Sequence, residues 1–157
     1  MKKIVLFLSV LFIMCISNAP AQTLNFSYPA GWGALGSFQG YNFGNVSVGS
    51  TSAETYFTVN GSGFAIPGVP LLIQSQNDVK LSLTSGGPYS TEVQIIIDGS
   101  GGFTNTNIYV VSQPTATGFR GGTVNFVDPF GGFSQNGPPY PYCTGTTPTA
   151  PEIDVQG

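Results

Sequence analysis

Apolar side chains recur at every second position in run after run of this chain, and no other feature constrains its fold as tightly. Ala53, Phe57 and Val59 fall on one face, with Glu54, Tyr56 and Thr58 on the other. Val79, Leu81 and Leu83 alternate with Lys80, Ser82 and Thr84, and Val93, Ile95 and Ile97 alternate with Gln94, Ile96 and Asp98. A period of two belongs to the β-strand, whose successive side chains point to opposite faces. No stretch beyond the first 21 residues keeps helical spacing, and 22 Gly and 12 Pro in the whole chain would interrupt a helix. Ile96 makes its strand apolar on both faces, the pattern of a central or partly covered strand. The runs Ile108 to Val111 and Val124 to Val127 behave the same way, and a further apolar run, Leu71-Leu72-Ile73, precedes an Asn77-Asp78 turn.

Turn residues punctuate these runs: Asn60-Gly61-Ser62-Gly63, Gly86-Gly87-Pro88, Gly99-Ser100-Gly101-Gly102, Pro114 to Gly118 and Gly121-Gly122. Gly supplies positive φ and Pro a preset φ. Short strands so spaced predict an all-β, antiparallel sandwich, because one sheet could not hide both apolar faces.

The first 21 residues have a different character. Lys2 and Lys3 precede an apolar run from Ile4 to Ile16 and a small-residue site at Ala19-Pro20-Ala21, the layout of an export signal. The run is shorter than the ~20 residues of a membrane-spanning helix, so no transmembrane helix is expected in the mature chain. Cys15 ends an apolar run as a lipidated Cys would, but Met14 occupies a position where lipoprotein processing needs a small residue, so cleavage after Ala21 is the expectation. Of 157 residues, removing 21 leaves 136, in which two bases, Lys80 and Arg120, face seven acids for a net charge of −5. That balance argues against nucleic acid and against an anionic membrane surface, both of which require clustered cations. Charged residues are 7% of the chain, so solubility falls to Ser, Thr, Asn, Gln and Gly turns, while 41% hydrophobic residues argue against disorder. Cys143 is the one Cys left after cleavage, which excludes an intramolecular disulfide and leaves an inert thiol in the tail or an intermolecular bridge.

The chain therefore divides into a signal peptide (1–21), an N-terminal Gly and aromatic segment (22–37), the strand-bearing unit (38–127) and a Pro, Gly and aromatic tail (128–157). The first aromatic segment runs from Phe26 through Tyr28, Trp32, Phe38, Tyr41 and Phe43, and the second from Phe126 through Phe130, Phe133, Tyr140 and Tyr142. Pro138-Pro139-Tyr140-Pro141 cannot donate a full hydrogen-bond ladder and reads as a loop or edge segment. Trp32, Tyr41, Tyr140 and Tyr142 thus fall in loop-like stretches where ring planes could meet the apolar CH faces of sugars; the competing reading is that they cap the open ends of the sandwich.

Several motifs occur together in order. Tyr41-Asn42-Phe43-Gly44-Asn45-Val46-Ser47-Val48-Gly49-Ser50, followed by Tyr56-Phe57-Thr58-Val59-Asn60-Gly61-Ser62-Gly63, resembles the opening of hydin-like and choice-of-anchor D immunoglobulin-like repeats. Val79 to Ser90, Thr106 to Val110, Pro114 to Gly118 and Gly121 to Val124 resemble segments of repeats in secreted surface proteins of Bacteroidetes. The resemblance spans Phe38 to Phe126. It implies an immunoglobulin-like sandwich of about seven strands, export to the envelope or beyond (the periplasm included), and a structural or adhesion role within a larger multidomain surface protein, with other surface proteins or glycans as partners. It implies no catalysis. The ending Pro151-Glu152-Ile153-Asp154-Val155-Gln156-Gly157 reads either as the closing strand or as the start of a following module.

Residue chemistry points the same way. With no His and one mature Cys, neither a Ser/His/Asp triad nor a His or thiolate zinc site can be built, and no calcium or phosphate loop motif occurs, so no cofactor and no metal are expected. Glu92 and Asp98 lie roughly 20 Å apart on an extended strand at ~3.3 Å per residue, beyond the spacing of a glycosidase pair. Glu152 and Asp154 read as solvated, and a hydrolase would need a pair made by folding, such as Asp98 with Asp128. The expectation is a non-catalytic structural or adhesion module, with a carbohydrate-binding module as the alternative.

Overall fold

The computed structural model describes residues 22–35, 38–127, 134–137 and 140–146. The signal segment with Cys15, the acids Asp128, Glu152 and Asp154, and the final seven residues lie outside the described residues. Within the described residues are twelve strands and no helix: β1 Thr23–Ser27, β2 Trp32–Leu35, β3 Phe38–Ser47, β4 Thr55–Ser62, β5 Pro70–Ser75, β6 Val79–Ser82, β7 Glu92–Ile96, β8 Phe103–Ser112, β9 Gly118–Gly121, β10 Val124–Val127, β11 Ser134–Gly137 and β12 Tyr140–Thr146. They form three four-stranded sheets, ordered β1-β4-β8-β6, β11-β10-β5-β7 and β2-β3-β12-β9. The architecture is the all-β sandwich that a period of two requires.

The expected count of about seven strands is too low, because the flanking aromatic segments also pair. β1 runs antiparallel to β4 from Thr23 opposite Ser62 to Ser27 opposite Thr58, with Leu24 and Phe26 packed against the core. β12 lies between β3, to which it is parallel, and β9. The sheets therefore reach beyond 38–127 at both ends.

The main core is closed by the first two sheets. Phe57 and Val59 of β4, Ile108 and Val110 of β8, and Val79 and Leu81 of β6 meet Leu71 and Ile73 of β5, Ile95 of β7, and Val124 and Phe126 of β10. Phe26 links the layers, its ring 5.1 Å from that of Phe126. A fully buried aliphatic or Phe side chain contributes about 1.5–3 kcal/mol, so these alternating positions carry most of the stabilisation. At one end Phe64 and Phe103 pack at a tilt, with centroids 6.0 Å apart, over Gly61. A Cβ on Gly61 would stand 2.5 Å from the Phe103 ring, so this position in the β4–β8 bulge requires Gly.

Two strands show why apolar content on both faces is ambiguous. Val111 faces away from the main core, yet it is buried, because β12 and β3 of the third sheet pass over that end of β8 and bury Val46 and Cys143 as well. Ile96 instead stays 59% exposed, and β7 is an edge strand rather than a central one. Pro141 likewise departs from the edge or loop assignment, since β12 is interior to its sheet. Pro141 stays in register with Tyr41 of β3, and on the β9 side its carbonyl accepts from Gly122 N at 3.1 Å, so the strand pairs there through the carbonyl although Pro has no N–H to donate.

Candidate functional site

Trp32 and Tyr41 lie directly opposite each other on β2 and β3, in strands rather than loops. The Trp32 ring packs 5.9 Å from Phe57, 5.2 Å from Tyr28 and 5.4 Å from Tyr41, and Tyr41 meets Phe43 edge-on at 4.9 Å. Trp32 Nε1 donates to Thr55 Oγ1 at 3.2 Å, so the polar end of the indole is occupied by the protein. Burial pushes the Tyr28 hydroxyl up to about 12. The Trp32 indole is thus partly buried, with Tyr28, Tyr41 and Phe57 packed around it and its N–H bonded to Thr55. On the backbone of β12, Tyr140 and Tyr142 pair with Gly40 and Asn42 of β3, so the fold does gather all four aromatics onto one sheet.

A cleft of about 470 Å³ is lined by Val48, Gly49 and Thr51 after β3, Asn77, Asp78 and Lys80 around β6, and Gln113 to Thr115 after β8. Asn77 turns the chain with φ of 56°, a left-handed conformation that Asn tolerates better than most residues, and its Nδ2 donates to Gly121 O at 3.0 Å. That turn drives Asp78 inward. Its backbone carbonyl accepts from Gln113 N at 2.7 Å, one carboxylate oxygen accepts from Thr115 Oγ1 at 2.9 Å, and the other pairs with Arg120 Nε at 2.5 Å. Desolvation pushes the Asp78 carboxyl up, but the Arg120 and Thr115 hydrogen bonds and the Arg120 charge outweigh it and hold it below its ordinary value. Asp78 thereby ties the start of β6 to the loop entering β9. Lys80, half-buried on the outward side of β6, is left as the one cation lining the cleft without a carboxylate partner among the described residues. The sequence marks Asn77-Asp78 only as a turn; the Arg120 partner is 42 positions away, and no local signal marks it.

The other described carboxylates are engaged in the same manner. Glu54 accepts from Ser85 Oγ at 2.7 Å, Gly86 N at 2.8 Å and the Tyr89 hydroxyl, pinning the β6–β7 loop to the approach of β4. Desolvation works against its ionisation, yet these three donors bring its carboxyl below the usual range, while burial and the adjoining carboxylate push the Tyr89 hydroxyl up to about 12. Asp98 accepts from the Ser100 hydroxyl and amide and from Gly102 N, closing the turn into β8; these bonds lower its carboxyl. Gln74 and Gln94 hold Glu92 low. Asp98 and Glu92 sit in separate hydrogen-bond sets, and the partner suggested for Asp98, Asp128, lies outside the described residues. Among the described residues no group of three His, Cys, Asp or Glu side chains could hold a metal ion. Cys143 is fully buried with its Sγ 3.0 Å from Ser112 Oγ, in a strand rather than a loose tail.

No protein-family model matches this chain, and no curated protein matches it. Among solved structures it is similar to a family 123 glycoside hydrolase from Clostridium perfringens, with a TM-score of 0.45 and 10% sequence identity over 83% of this chain. The chain corresponds to 28% of that protein's length, and likeness at this level carries no argument about activity.

Proposed function

We propose that the chain is a structural or adhesion module of a secreted or cell-surface protein, acting through a stable sandwich and its surfaces rather than through catalysis. The observation that carries this reading is that the four described carboxylates, Glu54, Asp78, Glu92 and Asp98, are each hydrogen-bonded to donors of the fold in separate sets, with no two of them paired. A carboxyl so committed serves poorly as a proton donor, and acid catalysis needs one whose affinity for protons is raised. The export layout of residues 1–21 and the resemblance of segments between Tyr41 and Val124 to surface-protein repeats support the location and the modular role.

The test has two parts. N-terminal sequencing of protein from the culture medium or envelope is expected to begin at Gln22. The purified mature chain is expected to melt cooperatively without ligand and to turn over no polysaccharide, ester or peptide substrate. Turnover abolished by substituting Asp98 or Glu92 would overturn the reading, as would retention of the whole chain in the cytoplasm.

A further inference from the structure

The outer face of the β1-β4-β8 layer is composed unlike an ordinary exposed sheet. Three Asn side chains form a ladder across it: Asn25 Nδ2 donates to Asn60 Oδ1 at 3.1 Å, and Asn60 Nδ2 donates to Asn105 Oδ1 at 2.8 Å. In the next row Thr58 Oγ1 donates to Asn107 Oδ1 at 2.8 Å, and beyond it Tyr56 and Tyr109 stand opposite each other with ring centroids 5.9 Å apart. Tyr56 is 38% exposed. The outward positions of these strands, Thr23, Asn25, Ser27, Tyr56, Thr58, Asn60, Ser62, Asn105, Asn107 and Tyr109, include no acid and no base.

Asn is depleted in strands, and its amide competes with the backbone for hydrogen bonds. Placing four of them on one face works against strand propensity, and such local conflicts concentrate at functional surfaces. The ladder is also directional. Each amide offers two donors and an acceptor, and among the described residues the internal bonds leave the Asn25 oxygen and the Asn105 and Asn107 NH₂ groups without a further partner. These groups stand at fixed spacings of ~4.8 Å between strands and ~6.6 Å along them. A tyrosine pair then supplies ring surface about 13 Å from the ladder at four residues along the strand.

We infer that this face binds a neutral polysaccharide chain, with Asn25, Asn60, Asn105 and Asn107 reading ring hydroxyls and Tyr56 and Tyr109 receiving a sugar face. Charge separates the occupants: the outward positions of β1, β4 and β8 named above are uncharged, and the charges nearest them, Lys80 of the neighbouring β6 and Glu54 just before β4, are single and of opposite sign, too few to hold nucleic acid or a polyuronate. The rows between ladder and tyrosines are amides and hydroxyls, which lack the desolvated apolar centre of a protein interface. A polyhydroxylated chain matches mixed donors and acceptors beside an aromatic surface. The inference goes beyond the module reading: a pure spacer would fold identically and bind nothing.

Native electrophoresis through gels containing dissolved hydroxyethylcellulose, galactomannan or xyloglucan tests it, with polygalacturonate as the charged control. The mature chain is expected to be retarded by at least one neutral polymer, to the same degree at low and high salt. Asn60→Ala with Asn107→Ala, and separately Tyr56→Ala, should weaken that association at least tenfold at unchanged melting temperature. Where the double variant loses cooperative melting, Asn107→Thr, which suits a strand, carries the test. No retardation by any neutral polymer, retardation by polygalacturonate alone that salt abolishes, or full binding by folded variants would each overturn the inference.

Discussion

Replacing Asp78 by Asn removes a charge while keeping the shape of the side chain, and so isolates what the ion pair does. Asp78 has 5% of its side chain exposed and Arg120 33%, so the carboxylate cannot be resolvated in place whereas the guanidinium can. Hydrogen bonds to charged groups contribute about 1.5–3 kcal/mol and neutral ones about 1. Breaking a buried pair costs about 3–5 kcal/mol, a figure that the exposure of Arg120 reduces here. The expected loss for Asp78→Asn at pH 7 is therefore about 2 kcal/mol, read as a lower denaturation midpoint at constant slope. Arg120→Gln should cost less, and the double variant should show a coupling of about 1 kcal/mol, within the range for residues in one network. The pH dependence follows from the direction of the shift. The folded carboxyl lies below its unfolded value of about 3.9, so the stabilisation is complete above that value and is lost as pH falls through the lower folded one. Glu54, Glu92 and Asp98, also held low, titrate in both proteins and cancel from the difference. The gap between parent and variant should be flat from about pH 7 to 5 and close below about 4. A gap under about 0.5 kcal/mol at pH 7, or one that stays constant into acid, would refute the assignment of Asp78–Arg120 as the tie between β6 and β9.

Three other substitutions or probes address separate parts of the fold. Gly145→Ala places a Cβ 2.1 Å from the Ala116 carbonyl oxygen, a backbone atom with little freedom to move; a loss of about 2–3 kcal/mol in denaturant titration is expected, and a neutral outcome would mean that the β12–loop contact is looser than described. Trp32→Ala is expected to cost about 3 kcal/mol by removing packing on Phe57 and the bond to Thr55, and an unchanged melting temperature would return Trp32 to the candidates for ligand contact. Cys143 is expected to resist a thiol reagent in the native protein and to react fully after unfolding; rapid native labelling would contradict its burial.

The alternation of Val79 and Leu81 with Lys80, and of Phe57 and Val59 with Tyr56 and Thr58, was enough to predict the strands, their inward faces and the need for two facing sheets. It was enough because the period of two is a local property of the extended backbone. β12 escaped detection because its alternating positions carry Pro141, Cys143 and Gly145 rather than large apolar groups. Those residues are small because the sheet is tight there, with Gly145 against the Ala116 carbonyl, and tightness is a relation between distant segments. The same reason governs Ile96 and Val111, whose identical signal on both faces ended in one exposed and one buried side chain, according to whether another sheet passed overhead. The pairing of Asp78 with Arg120 and the Asn25-Asn60-Asn105 row depend on strand order and register, which bring together residues 35 to 45 positions apart. Local pattern thus determined the inward faces of the regularly alternating strands, and only the tertiary arrangement decided what β12 and the second faces of β7 and β8 bury and which exposed groups became neighbours, because packing, hydrogen bonds and charges act over a few ångströms of space and not along the chain.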